Sequence, residues 1–185
     1  LLPRSIDIVF LADEKSSLPS KLNMTSHHGL LALKEGYDYP EQTIVLYVDI
    51  QKNSSSFKIQ HASSGHIVPL EILKPLSLAL KASSTSWNIE TPWNELFRLH
   101  LANGPSDLEI LNEAGFNAIA LRTHKTGSPP LHPDALADIL METIEKLPQN
   151  LNVVDVRYSI VHFGPVFWLV SEFTLIVLFL LATFL

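Results

Sequence analysis

The chain has 185 residues, 46% of them hydrophobic, no cysteine and a formal net charge of −6. Once an apolar terminal run is set aside, that length suits one domain with a full core. The acidic balance argues against nucleic acid as a partner, and without cysteine no disulfide framework supports the fold. The chain starts at Leu1 without Met and stops inside an apolar run, so it reads as an internal fragment.

Ile6 to Ala12 (IDIVFLA) is a nearly continuous apolar run of strand length, the pattern of a strand buried on both faces. Two sequons follow, Asn23-Met24-Thr25 and Asn53-Ser54-Ser55, which make Asn23 and Asn53 candidate glycosylation sites and favour a lumenal domain. Ser26 can cap a short helix through Leu30, Leu31 and Leu33 that Gly36 closes. Thr43 to Ile50 (TIVLYVDI) is a second buried strand, and Ser56 to Gln60 has the length of an edge strand.

Pro69 opens a helix carrying Leu70, Leu73, Leu76 and Leu80, which Pro75 is expected to kink or divide. Ala82 to Gly104 reads as an irregular excursion with one helical turn near Glu95 to Leu101. Ser106-x-x-Glu109 has the form of a capping box, and Gly115 stops the helix it starts. Asn117 to Leu121 (NAIAL) is a third buried strand. After a polar loop with His124 and His132, Leu136, Ile139, Leu140, Ile144 and Leu147 mark the clearest amphipathic helix, ended by Pro148.

A polar linker then leads into Phe163 to Leu185, whose one charge is Glu172. About 20 apolar residues cross a bilayer core. The run is therefore expected to be a transmembrane helix, with Trp168 near the interface and Glu172 facing protein. The expected organisation is an α/β domain over residues 1–148, a juxtamembrane linker over 149–162 and a membrane helix over 163–185. Alternation of strand and helix implies a mostly parallel sheet with helices on both faces.

Ligands of open α/β sheets collect at the carboxyl ends of the strands. Asp13 and Glu14 follow the first strand, Asp49 closes the second and His124 lies just past the third. Parallel strands would bring these to one edge, where carboxylates and imidazole suit Zn²⁺. Polar strand ends that simply meet water explain the same residues. His27, His28, His61, His66 and His100 lack ligand spacing and read as surface residues.

IDIVFLADE, IVLYVDI and PSDLEILNEAGFNAIAL followed by a His-containing loop resemble, in that order, the zinc aminopeptidase-like fold, here incomplete at its N-terminus. The resemblance implies that Asp13 matches the general base, Glu14 and Asp49 match metal ligands, and His124 matches the last histidine. The motifs also depart from the family. Ala12-Asp13-Glu14 stands for a Gly-Glu-Glu run, and Leu108 stands where a histidine belongs.

SIDIVFLADEK, GHIVPLEILKPL and IALRTHKTG resemble one membrane-tethered branch, the anchor-attachment subunit of the glycosylphosphatidylinositol (GPI) transamidase. That likeness implies a non-catalytic lumenal subunit in the endoplasmic reticulum membrane, without cofactor. Its partners would be the other membrane subunits, the GPI lipid or the substrate protein. PSDLEILNEAG and VFWLVSEFTL resemble instead the membrane-bound metallopeptidases of the endoplasmic reticulum or vacuole. On that alternative the chain is a zinc-dependent exopeptidase, with Asp13 taking a proton from metal-bound water.

Overall fold

Successive side chains of a strand point to opposite faces, and Asn117–His124 shows what that period does here. Ala118 and Ala120 join Leu30, Leu108, Leu111 and Phe116 on one side. Ile119 and Leu121 join Phe57, Ile59, Ile72, Leu73, Leu76 and Ile139 on the other. A strand with both faces covered reads as an unbroken apolar run, which is why NAIAL carries no polar alternation.

The computed structural model describes residue 7, residues 30, 33 and 35–38, and the segments 40–50, 54–63, 65–83, 85–89, 94–124, 133–147, 157–163 and 166–184. Its strands are β1 (Ile44–Asp49), β2 (Ser56–Gln60), β3 (Ala62–Ser63), β4 (His66–Ile67), β5 (Trp87–Ile89), β6 (Asn117–His124), β7 (Tyr158–Phe163) and β8 (Val166–Ser171). Its helices are α1 (Leu70–Ala82), α2 (Asn94–Arg98), α3 (Ser106–Glu113), α4 (Pro133–Lys146) and α5 (Glu172–Phe184). Of the strand expected over 6–12, only Asp7 is among the described residues, and it is exposed and not part of a strand.

The main sheet has four strands in the order β1-β6-β2-β5. β1 runs parallel to β6 and β2 parallel to β5, but β2 and β6 are antiparallel. The sheet is therefore mixed, which corrects the expected mostly parallel one. Ser56–Gln60 is the cause. It was expected at an edge, yet Phe57 and Ile59 are fully buried, so it is drawn in beside β6, and its far side pairs with β5 in the stretch expected to be irregular. Full burial of such a side chain contributes roughly 1.5–3 kcal/mol, enough to decide where a five-residue strand goes.

α1 and α4 cover the face bearing Ile119 and Leu121, while α3 and Leu30 cover the other. Pro75 neither ends nor divides α1; it is buried inside a single 13-residue helix. The capping box also differs: Pro105 is the N-cap of α3, no side chain caps it, and Ser106 is already helical. Gly115 does end α3, with φ at +91° where a side chain would be strained.

The terminal segment departs furthest from expectation. Residues 158–163 and 166–171 form an antiparallel hairpin, with Tyr158 opposite Ser171 and Phe163 opposite Val166. Only Glu172–Phe184 is helical. Thirteen residues span about 20 Å, short of the roughly 30 Å of a bilayer core, and no described helix is long and apolar enough to cross a membrane. The expected membrane helix over 163–185 is thus replaced by a strand followed by a short helix. Gly164-Pro165 is a turn signal, and VFWLV is rich in β-branched and aromatic residues.

Candidate functional site

β1 and β6 are parallel, so their carboxyl ends share one rim of the sheet, with Asp49 in register with Arg122. Arg122 is the centre of that rim. Its Nη1 donates to Asp49 Oδ2 at 3.5 Å and its Nη2 to Asp107 Oδ2. Its guanidinium carbon stands 5.8 Å from the centroid of the Tyr47 ring. Asp107 lies in the first turn of α3, where the helix dipole favours a carboxylate, and its Oδ1 accepts from the Leu108 amide at 3.1 Å. Thr123 Oγ1 donates to the Asp49 carbonyl at 3.3 Å.

His124 is the last residue of β6 rather than part of the following loop, and its side chain is exposed. Its carbonyl accepts from the Ser55 amide at 3.0 Å and from Ser56 Oγ at 3.2 Å. The fold thus brings Asp49 and His124 to one rim, Asp49 engaged by a guanidinium. Asp13, Glu14, Asn23 and Asn53 lie outside the described residues. Among the described residues no group of three or more His, Asp or Glu side chains is placed to hold a metal ion.

No sequence motif singles out Arg122 or Asp107 as a site residue. The signal was present: a buried charge must be paired, and Arg122 follows directly on NAIAL. What the sequence did not show was the partner, since Asp107 comes from a helix on one face and Asp49 from the neighbouring strand.

A second polar cluster holds the hairpin to the body. His61 was expected at the surface but is only 1% exposed. Its Nε2 lies 3.0 Å from Asn94 Oδ1, and Asn94 Nδ2 donates to the Tyr158 carbonyl at 2.7 Å. The Asn94 oxygen is the acceptor in that pair, so His61 carries its proton on Nε2 and leaves Nδ1 buried without a donor. Burial pushes the His61 pKa down to about 4, opposed in part by the Asn94 bond. The Tyr158 hydroxyl donates to the Val68 carbonyl at 2.9 Å, and burial raises its pKa far above the usual phenol range. Glu172, expected to face protein, meets Arg98 Nη1 at 2.6 Å.

Fold and rim together define a small mixed α/β domain built around an Asp49–Arg122–Asp107 ion triad. Residues 1–169 match the model of the TP_0564 family, first domain, and the chain belongs to that family. None of the curated proteins matches it.

Proposed function

We propose that this chain is a non-catalytic binding domain that works at a membrane. The role that fits it is that of a lumenal subunit of the GPI transamidase in the endoplasmic reticulum, presenting the GPI lipid or a protein's carboxyl end to a separate catalytic subunit. The observation that carries the reading is the state of Asp49. The Arg122 guanidinium lies 3.5 Å from the Asp49 carboxylate, and it would repel a second cation brought to that carboxylate. Among the described residues the rim offers no metal ligand set, so no hydrolytic step is derived from it.

The membrane part of the reading rests on α5. Phe173 and Phe179 are 75% and 70% exposed, and Ile176, Leu178 and Leu181 are exposed beside them. An apolar surface of that extent marks contact with lipid or with another protein. The test is complementation in cells deprived of the native chain. Asp49→Ala and His124→Ala should support GPI attachment to a reporter at the wild-type level, and the tagged chain should co-purify with the transamidase's other subunits. Loss of attachment in a folded Asp49→Ala protein, or failure to co-purify, would refute the proposal.

A further inference from the structure

A cavity of about 370 Å³ opens between β4, the end of α2 and the start of β7. His66, Arg98, Arg157 and Tyr158 are in its lining, which among the described residues includes no carboxylate. Its walls are tied together. Tyr158 donates to the Val68 carbonyl, the Gly65 amide to the Phe97 carbonyl at 2.8 Å, and the Glu172 amide to the Arg157 carbonyl at 2.9 Å. Among the described residues outside the lining, Glu172, which is bound to Arg98, and Glu71, whose field reaches Tyr158, bear on it. Glu172 offsets the charge of Arg98, so among the described residues Arg157 is the cation that gives the cavity its sign.

We propose that this cavity binds a phosphate-bearing ligand, held by Arg157 with Arg98 and His66 beside it. Guanidinium groups match phosphate oxygens with paired donors and are always charged. The cavity exceeds the size of one phosphate and leaves room for the group it esterifies. α5 starts at its edge, because the Glu172 amide bonds the Arg157 carbonyl, so the ester is either a lipid headgroup or a soluble phosphate ester. The inference stands apart from the transamidase reading, since it concerns residues on another rim of the fold.

The experiment titrates the full chain with glycerol phosphate by calorimetry. It also measures co-sedimentation with phosphatidylcholine vesicles made with and without phosphatidic acid. Wild-type protein should bind glycerol phosphate, phosphatidic acid vesicles or both. Arg157→Gln should weaken that binding roughly tenfold or more, the scale of a lost charge-assisted hydrogen bond. Arg157→Lys should fall between the two, and Lys81→Gln, on the exposed end of α1, should bind as wild type. Binding to the soluble ester assigns a soluble ligand, and binding to vesicles alone assigns a lipid. No binding in either arm, or binding that Arg157→Gln leaves unchanged, overturns the proposal.

Discussion

Replacing Tyr158 by Phe separates a linker on the way to a membrane from a strand built into the core. The ring is 1% exposed and packs with the cluster of Phe57, Ile72 and Leu76. Phe keeps that packing and removes only the hydroxyl, which donates to the Val68 carbonyl at 2.9 Å. A buried hydrogen bond contributes about 1 kcal/mol net, and an acceptor left unsatisfied costs about 1–3 kcal/mol. Val68 and Tyr158 both line the cavity beside β4, so water there can partly replace the lost donor, and the expected loss is about 1–2 kcal/mol. Tyr158→Ala loses the ring as well and should cost about 3–5 kcal/mol. Urea unfolding followed by circular dichroism measures both, as a lower midpoint with unchanged slope. Values within about 0.5 kcal/mol of wild type for both variants, as for a surface site, would show that β7 does not dock as described.

His61 makes stability depend on pH. Its folded pKa of about 4 lies below the ordinary value of 6.5, so the unfolded chain takes up the proton first as pH falls. The stability is fully present above pH 6.5 and declines as pH drops toward 4. At pH 5 the loss is about 2 kcal/mol, and His61→Gln should lose correspondingly less between pH 7 and pH 5 in paired urea titrations. Arg122→Leu strips the counter-charge from Asp49 and Asp107, both largely buried, and should cost about 3 kcal/mol in the same assay. Gly104→Ala places a Cβ 2.5 Å from the Ala62 carbonyl oxygen and the Ser63 Cα. Both are backbone atoms that cannot step aside, so a cost of about 1–3 kcal/mol is expected, read as a lowered thermal midpoint. Phe173→Ser with Phe179→Ser should leave the unfolding midpoint nearly unchanged but reduce sedimentation with lipid vesicles, because both rings are exposed.

Local signals placed most elements. The apolar run before Asp49, the turn glycine at 115 and the 3.6-residue spacing from Leu136 to Leu147 correspond to β1, the end of α3 and α4. Each rests on neighbours within a few residues, which the order of side chains records directly. The rim was legible in part. Parallel β1 and β6 bring the ends bearing Asp49 and His124 together, but the guanidinium that claims Asp49 was not foreseen.

The remainder depended on contacts between residues far apart in the chain. A five-residue strand such as Ser56–Gln60 has no local property that says which neighbour it pairs with or in which direction. The burial of Phe57 and Ile59 against α1 made that choice. An apolar run of 23 residues likewise does not distinguish a membrane helix from a strand plus a short helix. Here the strand of the run, β8, pairs with β7, which is tied to the body through Tyr158 and Asn94, both outside the run. Composition and periodicity determined which residues seek burial, and tertiary packing decided what each of them is buried against, because hydrophobic burial is non-directional while hydrogen-bond register and ion pairing are not.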